Sequence, residues 1–269
     1  MRDGMMINSI LANSSVWYGL TEKQLTELEL ADEYLIRKIL NCHAKVPKEF
    51  LYQETGLIMV RHIIKRRRIM YLHHLLTREK SELISKIYYS QKMKPVKGDW
   101  AVTVEKDCHD LNIDIESIKL MKKQKFKIFL KEKISKFAFN YLQEKKMSHS
   151  KVKNLQYANL SIQPYITDTS MSTVEKQMLL SLRSRCSSSR ANFRSMYEDV
   201  LCNLCDSGVT QNDAHLLDCD TIINNCPKLA QSVTGEHEDI YNSDTKIQQV
   251  IAQLYLNVFE TKSILDEKI

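Results

Sequence analysis

The chain has 269 residues, 43% hydrophobic and 27% charged, so it can bury a core and disorder is not its default state. Only six Gly and four Pro punctuate it, too few for a many-stranded sandwich or barrel, which leaves long helices. The net charge of +6 conceals an asymmetry: residues 60–155 carry a net +14 and residues 195–269 a net −9, so the two regions are expected to meet different partners.

No apolar run approaches the roughly 18 residues that a membrane span needs, and residues 1–11 lack a signal-peptide layout. Seven cysteines, odd in number and irregular in spacing, do not form a disulfide framework. A reducing intracellular compartment, cytoplasm or nucleus, is the expectation.

In chain order, residues 7–20 are apolar around a polar break at Asn13-Ser14-Ser15, and periodicity leaves them open between helix and strand. Thr21 with Gln24 three residues on fits a capping box. The helix it opens runs to about Leu40, with Leu25, Leu28, Leu35 and Ile39 on one stripe. Pro47 and Gly56 bracket a short helix holding Phe50 and Leu51. A longer helix spans about Val60 to Arg78, and its apolar residues nearly encircle the axis, so it expects neighbours on more than one side.

Lys94-Pro95 and Lys97-Gly98-Asp99 mark a turn before Trp100. Residues 115–146 read as helix again, with Phe126, Phe129, Leu130, Phe137 and Tyr141 among many lysines. The stretch from Met147 to Tyr165 is polar and weakly periodic, which predicts a linker and a domain boundary between 1–155 and 156–269. Ser172 with Glu175 forms a second capping box. In the last helix Ile247, Val250, Ile251, Leu254 and Val258 fall at i, i+3, i+4, i+7 and i+11, a single apolar face. That face, over 247–258, is where a partner protein or a second copy is expected to dock. The fold class is therefore mainly α, an irregular helical bundle with a small C-terminal zinc-knuckle module.

The sharpest pattern lies at 202–219: Cys202 and Cys205, nine intervening residues, then His215 and Cys219, or C-x2-C-x9-H-x3-C. Zinc takes four thiolate or imidazole ligands in a tetrahedron. The two-residue gap lets both cysteines of a tight turn face one ion, and the three-residue gap puts His215 and Cys219 on one face of a helix. Asp206-Ser207-Gly208 supplies a turn after the first pair. With four protein ligands no position is left for a catalytic water, so one structural zinc ion is expected. Cys226 is an alternative ligand seven residues further on. The nine-residue gap exceeds that of compact retroviral knuckles, so single-stranded RNA binding by the knuckle itself is not implied.

Lys65-Arg66-Arg67-Arg68 covers a full helical turn, and its charges fan out around the axis. One reading is a solvated face with one Arg in a buried ion pair and the other stems lying over apolar neighbours. The other is that two or three of the four join Arg61, Lys122, Lys123, Lys125 and Lys127 in a surface for RNA or DNA. Phe126 and Phe129 are expected in the core rather than as base-stacking platforms. A net +14 over about a hundred residues exceeds what solubility needs, and nucleic acid is the anionic partner it favours.

Catalytic patterns are wanting. Glu260 and Lys262 form an E-x-K, but such a nuclease site also needs an Asp on a strand, and these residues sit in a helical stripe. No phosphate-binding G-x-x-x-x-G-K-[ST] and no G-x-S-x-G occurs. The expectation is a binding protein and not an enzyme.

The order of "SILANSSVWYGLTEKQLTELELADEYLIRKIL", "VPKEFLYQETGLIMVRHIIKRRRIMYLHHLL" and "KGDWAVTVEKDCHDLNI" resembles the region just downstream of the polymerase domain in non-LTR-type retrotransposon reverse transcriptases. The later "LRSRCSSSRANFRSMY" and "CNLCDSGVTQNDAHLLDC" resemble the end of the same proteins, where an arginine-containing helix precedes a C-x2-C…H-x3-C knuckle. The resemblance implies a thumb-like helical region at 1–155, a tail with the knuckle at 156–269, and zinc on Cys202, Cys205, His215 and Cys219. It implies nothing catalytic, because the polymerase carboxylates of the family lie in an [FY]-x-D-D strand and this chain has no such tetrapeptide. Asn13-Ser14-Ser15 stands where the family commonly shows Gly-Ser-Glu before a tryptophan, which implies a decayed or truncated copy.

Overall fold

The computed structural model describes residues 2, 7–153, 155–205, 207–225 and 245–266. Those residues form a mainly helical protein with no strand, only two isolated β-bridges. In chain order the helices are α1 (Ile7–Ile10), α2 (Glu22–Leu40), α3 (Lys48–Thr55), α4 (Val60–Leu76), α5 (Leu83–Met93), α6 (Trp100–Asp110) and α7 (Ile115–Leu120). Then come α8 (Lys123–Lys146), α9 (Pro164–Thr167), α10 (Thr173–Arg183), α11 (Asp213–Asp218), α12 (Asp220–Asn225) and α13 (Thr245–Asp266).

Two compact units result. One comprises 1–36 and 57–143, the other 37–56 and 144–269. This differs from the division expected at 155/156. Residues 37–56, read as part of the first region, fold with the second, and the boundaries fall inside α2, between α3 and α4, and inside α8.

In the first unit α4 is central. Its Val60, Ile63 and Ile64 pack with Ile7 and Leu11, while Ile69, Leu72, Leu75 and Leu76 join a larger cluster with Val104, Ile118 and Phe126. An apolar surface around the whole axis thus finds neighbours on two sides, as its pattern requires. The N-terminal apolar stretch resolves into α1 and a 3-10 turn at Ser14–Val16, with Leu11 fully buried. On α8 the buried residues recur at every fourth position: Phe126, Leu130, Ile134, Ala138 and Leu142 are each 0% exposed. Each large side chain in that row contributes about 1.5–3 kcal/mol of burial.

The single helix expected over 115–146 is two helices. The Asp114 carboxylate caps α7 by accepting from the Glu116 and Ser117 backbone. Met121 then turns extended at ψ 136, and its carbonyl meets His73 Nε2 at 2.9 Å instead of continuing a helical ladder. Phe126 stacks on the same His73 ring at 4.7 Å, so the break is fixed by packing against α4. Helix α5 was not anticipated: it has no side-chain N-cap, and Leu83 and Ile87 stay exposed while Tyr88 is buried, so its apolar residues trace no single stripe.

The second unit is organised around α3. Pro47 precedes it and Gly56 ends it at φ 63, and a Cβ at Gly56 would lie 2.4 Å from the Ile162 nitrogen. Only glycine meets both conditions. The Glu54 carboxylate, wholly buried, is held by Arg183 Nη2 at 2.8 Å, by the Tyr165 hydroxyl at 2.7 Å and by the Tyr157 hydroxyl at 2.5 Å. Withdrawing such a charge from water costs several kcal/mol, which these three donors offset. Burial first, and then the Glu54 charge, push both tyrosines well above the usual phenol range.

The same cluster corrects the expectation of a linker at 147–165. Tyr157 and Tyr165 are tied to Glu54, the Gln163 nitrogen donates to the Glu54 carbonyl, Thr55 bridges Ile162, and Val152 is fully buried. Two hydroxyls of the stretch, on Tyr157 and Tyr165, meet the buried Glu54 carboxylate. Both expected capping boxes form: Gln24 Oε1 accepts from the Thr21 nitrogen at 2.9 Å, and Ser172 and Glu175 exchange bonds at the start of α10.

Candidate metal centre and basic groove

The loop before α11 brings the first two cysteines together. Leu201 and Thr210 form an antiparallel bridge, the Cys202 nitrogen donates to the Val209 carbonyl at 2.8 Å, and Gly208 turns the chain at φ 64. Asn212 Oδ1 then accepts from the His215 nitrogen at 2.8 Å and starts α11, which carries His215 and delivers Cys219 one turn later. The four ligand atoms of Cys202, Cys205, His215 and Cys219 lie within 4.8 Å of one another. Cys205 Sγ is 3.5 Å from His215 Nε2, the separation of about 3.5 Å that a tetrahedral ion with usual metal–sulfur and metal–nitrogen bonds would impose. The cluster could hold one metal ion. Asp206 and the alternative ligand Cys226 lie outside the described residues.

Neighbours not anticipated from the sequence complete the cluster. Gln211 Nε2 reaches Cys202 Sγ at 3.7 Å, and Ser207 Oγ lies 3.0 Å from Cys205 Sγ. Both sit inside the nine-residue gap, where a side chain at hydrogen-bonding distance of a thiolate was the signal to seek. Burial raises the Cys205 thiol, but hydrogen bonds from Ser207, with Cys202 and His215 adjoining, outweigh it and bring the thiol down to about 7. Cys219, deeper in the module, is pushed up by burial to about 11. Beneath the ligands Leu182, Leu216, Ile222, Tyr255 and Val258 form an apolar cluster.

Helix α13 supplies part of that cluster, with Ile251, Leu254 and Val258 of the expected face packed there and Ile247 and Val250 left exposed. Its buried row is Gln248, Ala252, Tyr255, Val258 and Lys262, whereas Val250 remains 59% exposed. Tyr255 joins the packed face, and its hydroxyl donates to the Asp213 carbonyl. Lys262, half of the E-x-K, is bonded to Asp266 at 2.5 Å.

The nine cations expected to form a nucleic-acid surface have different fates. Arg61 pairs with Glu29 at 2.5 Å and with Glu22 at 3.2 Å. Burial opposes its charge, but Glu29 outweighs burial and raises its pKa. Lys65 pairs with Asp110 at 2.6 Å, and Arg68 with Asp107 at 2.6 Å inside the unit. Arg67 donates to the Leu11 carbonyl and, at 2.9 Å, to Asn8. Lys122, just before α8, and Lys125 on α8 are exposed and do not line the feature that unites the others.

That feature is a groove of about 720 Å³ between α4 and α8. Arg66, Arg67, Met70, Tyr71 and His74 line it from one helix, and Lys123, Gln124, Lys127, Ile128, Leu130 and Lys131 from the other, with Ser15. No carboxylate is among them. Lys131 was not singled out in the sequence, although it stands four residues beyond Lys127 and eight beyond Lys123, on the same helical row. Phe126 and Phe129 belong to the core cluster, as expected.

Comparison of the chain with protein-family models, with curated proteins and with solved structures finds no match.

Proposed function

We propose that the chain binds RNA or DNA without acting on it, as the region of a retroelement reverse transcriptase protein that follows the polymerase, and that its Cys/His cluster holds one structural zinc ion. The groove is the observation that carries this reading. Five cations on two helices (Arg66, Arg67, Lys123, Lys127 and Lys131) line it with no carboxylate among them. Carboxylates elsewhere in the unit are engaged with Arg61, Lys65 and Arg68. Cations gathered without internal anions repel one another, and a phosphate backbone relieves that repulsion. Three thiols and an imidazole are the donor set that suits zinc, and four protein ligands make the site a staple and not a reaction centre. The resemblance to retroelement proteins supports the zinc half, since in them an arginine-containing helix precedes a C-x2-C…H-x3-C knuckle.

Binding of a labelled single-stranded 20-mer, followed by anisotropy between about 50 and 200 mM salt, tests the nucleic-acid half. Four phosphate contacts predict a loss of roughly fifty-fold over that range, and Arg66→Ala with Lys127→Ala should reduce the log–log slope by about 1.4. Binding indifferent to salt, or none at the low end, overturns it. A second reading, docking of a protein through α13, has Val250 and Ile247 as its observation, since these apolar side chains stay exposed on that helix.

A further inference from the structure

We infer that the groove between α4 and α8 takes single-stranded nucleic acid and seats an unstacked base against its lining; this rests on the groove being a nucleic-acid site. Phosphates alone would need only the cations. The lining, however, is also apolar and aromatic: half-buried Met70 and Tyr71 from α4, and Ile128 and Leu130 from α8. The Tyr71 and His74 rings lie 6.1 Å apart with a 34° tilt, His74 at the exposed rim. Tyr71 is braced, because Trp100 meets it edge-on at 5.6 Å while the Trp100 Nε1 is anchored on the Ser15 carbonyl at 2.9 Å. Burial, with Arg78 and Lys123 close by, shifts His74 below the usual imidazole value.

A duplex keeps its bases paired and stacked, and offers such a lining nothing but phosphate and sugar. A single strand can turn a base out, and every base has a face that stacks on an aromatic ring regardless of sequence. The volume, about 720 Å³, falls within the roughly 300–1,000 Å³ range of sites that enclose a small organic ligand, which fits a base with its sugar and not a helix. Cations at the rim would hold the flanking phosphates.

The test compares three labelled probes of equal length at one salt concentration on the full chain: a single-stranded 20-mer, the same strand made abasic, and its duplex. The abasic strand keeps the phosphates and lacks only the bases. It should bind about tenfold or more weakly than the normal strand, as should the duplex. His74→Ala, at an exposed position, should weaken the normal strand several-fold while leaving the salt slope and the abasic affinity unchanged. Equal binding of all three probes, with His74→Ala silent, overturns the inference and leaves salt-dependent binding standing. If no probe binds even at low salt, the nucleic-acid reading falls and the inference with it.

Discussion

The metal cluster and the basic groove gather groups that repel or compete with one another, but over very different lengths of chain. The cluster draws its four ligands from eighteen consecutive residues, 202–219, and local devices set it: a bridge, a turn at Gly208 and the Asn212 cap. The groove joins Arg66 to Lys131, and nothing local holds them together; only the packing of α4 against α8 does. A site of the first kind depends on its ion. One of the second kind depends on the core beneath it.

Removing the ion should separate the two most sharply. With one zinc per chain at the start, a chelator or Cys219→Ser should abolish hydrogen-exchange protection in 201–218 while binding in the groove persists. Apparent zinc free energies in zinc-finger peptides are about 10–16 kcal/mol, so this is the largest effect expected. A chain that keeps its order in 201–218 without metal would make the cluster self-supporting and erase the contrast.

Glu54→Leu attacks the second unit without touching a ligand. It removes the buried carboxylate that pairs with Arg183, next to Leu182 under the metal cluster, and should cost about 3–5 kcal/mol in chemical denaturation while zinc stays bound below the transition. Loss of zinc under folding conditions would show that the local devices do not suffice.

Acid should act on the groove side. His62 on α4 is buried with its ring edge-on to Phe137 and Tyr141 of α8, and burial, followed by repulsion from Lys65 and Arg61, lowers it from 6.5 to about 3. The unfolded chain therefore takes up a proton below pH 6.5 that the folded chain refuses until about pH 3. The stability contribution is complete above 6.5 and is lost as pH falls through that window. Between pH 6.5 and 5 the loss is about 2 kcal/mol. Both tryptophans, Trp17 and Trp100, lie in this unit, so their fluorescence reports its unfolding. His62→Leu should flatten the dependence; an unchanged slope would mean the ring is not the acid-sensitive group.

The smallest effect expected is that of Val250→Asp, which at an exposed position should change stability by less than about 0.5 kcal/mol. Sedimentation of this variant beside the parent also tests docking through α13. A mass that depends on concentration in the parent and not in the variant would favour that reading.

What could be seen in the sequence follows the same divide. Both capping boxes, the bounds of α2 and α3 to within a residue, and the four-residue Cys/His pattern are short-range, and each stands where its spacing put it. The split between α7 and α8 was hidden because its cause, the His73 ring meeting the Met121 carbonyl, lies 48 residues away. The polar stretch at 147–165 looked like a linker because its partner, Glu54, is a hundred residues upstream. On α4 the run of four cations gave no sign of which would be neutralised. That was decided by Asp107 and Asp110 on α6 for Lys65 and Arg68, while Arg66 lines the groove, where no carboxylate stands.

The every-fourth-residue spacing on α8 has a consequence for how this chain can vary. Lys123, Lys127 and Lys131 repeat with the same interval as Phe126, Leu130 and Ile134, three residues behind, so the two rows are locked in phase. A substitution changes one tooth of such a comb. A one-residue insertion within α8 swings everything on one side of it by about 100°, carrying lysines out of the groove and core residues into water together. Along this helix, drift in letters is tolerable where drift in length is not.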